Sequence, residues 1–256
     1  MGPTEIIISL VGGFFAGILN AMAGFGSIIT LAIYMDVLGI PGHLANATNR
    51  VNVLASSVIS AATFHKNGKL DLKKGKGIIL AVFLGAMVGV FMATQLDAQG
   101  FKQAFKYLLI PIFIILLMNP KRFINPDMSS SVTSPWVTMP LYFLMGIYAG
   151  FIQAGFGVVF LMVIVIMSKY DLIIGNGLKI AIVAIYSVVV VAIFQFNGMI
   201  IWKAGLALAV GQALGGYIAS RHMTRLEGAN KWAYKGLVII VFLVILKNFE
   251  VWKWFG

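Results

Sequence analysis

Along the whole 256-residue chain, polar positions are confined to short breaks between long apolar runs. In the first half the runs lie at about 5–22, 25–40, 43–65, 77–96 and 103–118, and in the second at about 137–154, 156–168, 173–196, 204–220 and 232–249. Crossing hydrocarbon takes about 20 mostly apolar residues in a helix, and most of these runs approach that length. The pattern predicts an all-α integral membrane protein with about five helical segments per half. No break is long enough for a separate soluble domain. The chain therefore reads as a first membrane repeat at 1–118, a linker at 119–135 and a second repeat at 136–256. The linker carries Pro120, Pro126 and Pro135 around the run Ser129, Ser130, Ser131, which is turn-forming composition.

The two halves are copies of one another. At a shift of 130, Asn46 falls on Asn176, Ser57 on Ser187, Phe64 on Phe194, Asn67-Gly68 on Asn197-Gly198 and Leu84-Gly85 on Leu214-Gly215. Residues 46–96 align without a gap and give 14 identities. The leading segments match as well: Ala16-Gly17 with Ala149-Gly150, and Ala23-Gly24-Phe25-Gly26 with Ala154-Gly155-Phe156-Gly157.

Charge gives the relative orientation of the copies. The break at 66–76 holds Lys66, Lys69, Lys73, Lys74 and Lys76, whereas its counterpart keeps only Lys203. The next break does the opposite, since Phe91 becomes Arg221 and Gln95 becomes Arg225. Cytoplasmic loops collect Lys and Arg, so equivalent loops lie on opposite sides and the repeats are inverted, a frequent transporter plan. With 66–76 inside, both termini are expected outside. Inversion needs an odd number of crossings per half. Ten spans, or six spans with two re-entrant or broken hairpins, both satisfy it.

Composition narrows the function. The chain is 60% hydrophobic and 11% charged, with mean hydropathy +0.96, whereas soluble domains are about a quarter charged. Absence of cysteine excludes disulfides and thiolate chemistry. His43, His65 and His222 are too scattered for a metal site. No phosphate-binding loop, HExxH or GxSxG occurs, so neither a catalytic residue nor a cofactor or metal is expected, and the chain does not read as an enzyme. The net charge of +11 is spread over short breaks between spans, which suits anionic lipid rather than nucleic acid. The N-terminal run has Glu5 before it and no Lys or Arg, unlike a signal peptide, and is expected to stay as a membrane segment.

Three groups of residues could carry transport. Gly24 and Gly26, with Gly155 and Gly157, form matched turns where backbone can approach a ligand; close helix packing is the alternative. Asn46, Asn49 and Arg50 share one face at the start of the third segment, and Asn176 and Lys179 occupy the same place in the other half. A cation at that depth costs about 2.5–3.5 kcal/mol unless it snorkels. One cation from each half beside a helix N-terminus suits an anion. Asn20 and Gln153 precede the glycine turns and offer amides, either to a ligand or to a neighbouring helix. The expected partners are thus a small anionic substrate and membrane lipids, with self-association into a homodimer left open. A carrier and an anion channel both remain open.

These stretches resemble a known family. GFFAGILNAMAGFG and GIYAGFIQAGFGVVFLMV are similar to the two signature hairpins of the TauE/SafE sulfite and organosulfonate exporters, and ANATNRVNVLASSV and GNGLKIAIVAIYSVVV to the motif that follows each. The resemblance extends over essentially the whole chain. It implies a cell inner-membrane transporter for sulfite, an organosulfonate or a related sulfur oxyanion.

Overall fold

The computed structural model describes residues 1–118 and 134–222, with Phe242 and Leu246 as isolated positions beyond them. The linker up to residue 133, Arg225 and the last expected segment lie outside the described residues. Within them the chain is built from helices: α1 (Pro3–Ala23), α2 (Gly26–Ala32, continued by a π-helical turn at Ile33–Val37), α3 (Gly42–Lys66), α4 (Lys76–Thr94), α5 (Ala98–Met118), α6 (Pro135–Phe151), α7 (Phe156–Ile166), α8 (Leu172–Phe196) and α9 (Trp202–His222). The all-α membrane architecture is as the pattern predicts. Helices α1, α4 and α8 are long and apolar enough to cross a bilayer, and the chain is a multi-pass membrane protein.

The repeat is visible in local chemistry. Helices α3 and α8 are both 25 residues long and are offset by 130 at each end. Each closes on Asn-Gly, with Gly68 at φ 67° and Gly198 at φ 65°. Lys69 N donates to Phe64 O at 2.9 Å and Met199 N to Phe194 O at 3.0 Å. Glycine in the left-handed region is what this helix-ending motif requires. The starts differ: Asp171 accepts from the N–H groups of Ile173 and Ile174 at 2.9 and 3.2 Å to cap α8, whereas α3 begins after Pro41 without a side-chain cap.

Equivalent helices run in opposite directions. Phe64, at the end of α3, lies against Gly177 at the start of α8. Arg50, near the start of α3, has its guanidinium 6.0 Å from the ring of Phe194 at the end of α8. The α3–α8 pair is therefore antiparallel, in line with the inversion read from the lysines.

The leading helix of each repeat packs on the fourth helix of the other: α1 on α9, and α4 on α6. Glycines make this approach feasible. A Cβ on Gly17 would stand 2.2 Å from Gln212 O, on Gly215 1.9 Å from Phe14 O, on Gly85 2.1 Å from Phe143 O, and on Gly150 2.1 Å from Ala86 O. Backbone thus touches backbone in both interfaces, as small residues spaced by four allow in lipid. Ala16-Gly17 and Ala149-Gly150 are packing residues.

The second helix of each repeat is short. Gly26–Val37 and α7 are apolar but span only about 18 Å or less at 1.5 Å per residue, against about 30 Å of hydrocarbon. Their return legs are completed by non-helical backbone at 38–41 and 167–171. The expected segment at 137–154 ends early, because Gln153 takes φ 67° and turns the chain. Each leading segment is therefore a broken hairpin whose turn is buried in protein.

Filling these contacts will separate the helices. Gly150→Val is expected to lower stability by about 1–3 kcal/mol, read as an earlier unfolding transition in detergent. Gly77→Ala, whose Cβ would meet only Met139 at an ordinary 3.6 Å, will leave the transition in place.

Candidate functional site

Helix α3 carries a series of buried polar side chains: Asn46, Thr48, Asn49, Arg50, Asn52, Ser56, Ser57 and Ser60. Polar groups facing lipid are costly, so this face turns inward. Its deepest charge is Arg50, which is 0% exposed. Among the described residues no Asp or Glu is buried, so Arg50 is not neutralised by a carboxylate.

Arg50 is instead held by the end of a helix. Its Nη1 donates to Ala149 O at 2.7 Å and to Gln153 Oε1 at 2.8 Å, and its Nη2 to Gly150 O at 2.9 Å and Asn46 Oδ1 at 3.4 Å. Asn46 Nδ2 donates to Phe151 O at 2.8 Å. The last carbonyls of a helix have no intrahelical donor and carry its negative dipole end. Because α6 stops inside the protein, Asn46 and Arg50 supply what water cannot.

The other repeat has the mirror arrangement. Asn176 Nδ2 donates to Ala21 O at 2.8 Å, and Lys179 Nζ to Asn20 O at 3.3 Å. Thus α8 caps α1 as α3 caps α6. The two caps are unequal, since Arg50 makes four contacts at its head and Lys179 one long one.

Beyond the caps the two glycine turns touch. Gly24 has φ 81° and Gly155 φ 76°, and a Cβ on Gly24 would lie 2.3 Å from Gly157 Cα. Gly26 is equally tight against Ala16 O, at 2.2 Å. The Gly24 N–H is spent on Asn20 O at 2.9 Å in ending α1. Close packing is therefore the work of Gly24 and Gly26. Gly157 lies in the first turn of α7, where helical backbone donors lack intrahelical partners.

A cavity opens beside this contact. Its wall includes Asn20, Gly24, Gln153, Gly157 and Lys179, together with Ser56, Ser57 and Ser60 of α3. Its volume is about 20 Å³, room for about one water molecule. Five of the residues expected from the sequence meet here. Asn46, Arg50 and Asn176 stand behind it as caps, and Gly26 and Gly155 as turn residues. Asn49 points elsewhere: Thr30 Oγ1 donates to its Oδ1 at 2.5 Å and Asn52 Nδ2 at 3.1 Å, within a buried network that also holds Tyr34 and Gln212.

The family described as sulfite exporter TauE/SafE matches residues 9–248. The chain belongs to the TauE/SafE family. Curated relatives of this TauE/SafE chain agree in general function. A probable membrane transporter protein, ORF9, of Sinorhizobium sp. is 28% identical over 92% of this chain and 88% of its own length. A probable membrane transporter protein of Haemophilus influenzae is 24% identical over 93% and 89%, and the probable membrane transporter protein YfcA of Escherichia coli K12 is 24% identical over 80% and 76%. No solved structure gives a significant match. The chain is a membrane transporter.

Two parts of this TauE/SafE site escaped the sequence reading. Tyr186 accepts a hydrogen bond from Gln153 Nε2 at 2.8 Å, yet a lone tyrosine in an apolar run gives no signal of that. The Thr30–Tyr34–Asn49–Asn52–Gln212 network joins α2, α3 and α9. Asn52 was the available clue, three residues from Asn49 in a segment that should be apolar.

The unequal caps predict unequal mutants. Hydrogen bonds from a charged donor are worth about 1.5–3 kcal/mol each, and a buried acceptor left without its donor costs about 1–3 kcal/mol. Arg50→Met is expected to unfold in detergent several kcal/mol earlier than wild type. Lys179→Met is expected to stay close to it.

Proposed function

We propose that this protein moves a small anion, sulfite, an organosulfonate or a related sulfur oxyanion, across the cell inner membrane by alternating access between its two inverted repeats. The observation that carries this reading is Lys179. Its ammonium is buried in the cavity wall at 2% exposure, makes one hydrogen bond of 3.3 Å, and has no buried carboxylate among the described residues to neutralise it. An ammonium has three donors, and a desolvated cation left short of partners favours an anionic ligand. Gln153 and the serines add neutral polar groups, and the α7 N-terminus adds partial positive charge.

The cavity size supports a carrier over an open pore. A space for one water cannot hold a hydrated oxyanion path, so the anion must enter by a movement that parts the repeats. The two broken hairpins touch at Gly24 and Gly157, and rocking about that contact alternates access. The lysine-rich loop at 66–76 faces the cytoplasm on this reading, with both termini outside.

Proteoliposomes loaded with labelled sulfite or a sulfonate provide the test. Saturable flux, stimulated by unlabelled substrate on the opposite side, is the expected result. Lys179→Met should lower that flux at least about tenfold, the equivalent of ~1.4 kcal/mol. Large unitary currents would replace the carrier with a channel, and full flux in Lys179→Met would remove Lys179 from the site.

A further inference from the structure

Gln153 is the most constrained residue of the cavity. It is 4% exposed and sits at φ 67°, a left-handed backbone that non-glycine residues seldom adopt. Such strain persists only where the surroundings impose it, and here two side chains do. Arg50 can only donate, so its contact at 2.8 Å fixes Oε1 of Gln153 toward α3. Gln153 Nε2 then donates to Tyr186 Oη at 2.8 Å. The amide cannot flip without setting its NH₂ against the guanidinium.

This fixes what the residue can offer a ligand. The carbonyl oxygen is spent on Arg50. Of the two N–H bonds on Nε2, one goes to Tyr186 and the other has no partner among the described residues. A glutamine free to rotate would present either an acceptor or a donor. Here it is left with a donor alone. The charged group that shares the wall, Lys179, is also a donor, and no carboxylate stands among the described wall residues. An ammonium group carried into this space would lose its water and find Lys179 rather than a counter-ion, which is the repulsive element that specificity needs.

Resting on the anion-carrier reading above, we propose that Gln153 is a specificity-determining residue, clamped by Arg50 and Tyr186 as a donor, and that the site takes oxyanions without a cationic group in preference to zwitterionic aminosulfonates. Arg50 and Tyr186 are positioning residues in this scheme: they act on the substrate through Gln153 and do not line the cavity.

The experiment uses the full chain in proteoliposomes, with labelled sulfite flux competed by unlabelled methanesulfonate or 2-aminoethanesulfonate. For wild type, the aminosulfonate should compete at least about tenfold more weakly than methanesulfonate. Tyr186→Phe removes one side of the clamp. It should raise KM for sulfite several-fold at unchanged maximal flux and narrow the ratio between the two competitors. Gln153→Glu places a carboxylate in the wall and should weaken sulfite while narrowing the ratio further. A residue that merely held the fold would lower the yield of folded carrier and leave both KM and the ratio alone. Equal competition by the two sulfonates in wild type overturns the proposal, whatever the variants do. An unchanged ratio in folded Tyr186→Phe and Gln153→Glu also overturns it. Flux of sulfite with no discrimination sinks this inference and spares the carrier reading, whereas no flux of any sulfur oxyanion sinks both.

Discussion

A helix that stops inside a membrane protein must have its last carbonyls satisfied by protein. Hydrocarbon offers no hydrogen bonds, so irregular backbone at depth survives only where side chains or a cavity supply donors. Both leading helices of this transporter end that way. Helix α1 is finished by Asn176 and Lys179 reaching to Ala21 O and Asn20 O. Helix α6 is finished by Asn46 and Arg50 reaching to the carbonyls of Ala149, Gly150 and Phe151. Each repeat closes the hairpin of the other. Neither hairpin has a satisfied end without its opposite number, which ties the inverted arrangement to backbone chemistry rather than to apolar packing alone.

The same logic places the glycines. Crossed capping needs α1 and α6 to run deep between the helices of the opposite repeat. A neighbour with ordinary side chains would hold them off. Gly17 against Gln212, and Gly150 against Ala86, remove that obstacle, and dispersion between touching backbones replaces a hydrophobic drive that lipid does not provide. The polar face of α3 is a further consequence. It has to hold donors for α6, and the nearby serines then line a small cavity instead of facing lipid.

Much of this was legible in the chain and some was not. The 130-residue shift, the alternation of lysine-rich loops and the paired Asn46 and Asn176 forecast antiparallel equivalents, and α3 and α8 are antiparallel at Phe64–Gly177 and Arg50–Phe194. The glycine turns were legible as places of close approach, but not that they approach each other. Asn46, Asn49 and Arg50 were read as one face, which geometry on an isolated helix justifies. In the packed protein an arc that wide meets two neighbours, so Asn46 and Arg50 serve α6 while Asn49 joins the network with Thr30 and Asn52. Helical periodicity gives the direction of a side chain and is silent on what lies there. The partners of Arg50 are main-chain carbonyls, which every residue possesses, so no side-chain pattern could have announced them.

Side-chain chemistry accounts for the inequality between the two cations. An arginine presents a rigid fork of donors and suits several fixed acceptors at once, whereas a lysine is a compact charge on a flexible stem. At Arg50 the fork meets two carbonyls and two side-chain oxygens, and the head is almost fully used. At Lys179 the ammonium meets one carbonyl at 3.3 Å, and most of its donor capacity is unused. At the repeat shift of 130, Lys179 falls on Asn49 and Arg50 on Ile180, so the cations sit one residue apart in register and do different jobs. Arg50 fastens a hairpin, and Lys179 keeps a positive charge beside a space that both repeats wall. On the proposed reading an arriving anion competes with Asn20 O for that ammonium. Substrate binding would then loosen the cap on α1 while the cap on α6 holds. An exchange of one weak hydrogen bond for a stronger charged one gives the anion a differential affinity for the two arrangements, and a conformational change driven by a ligand requires just that.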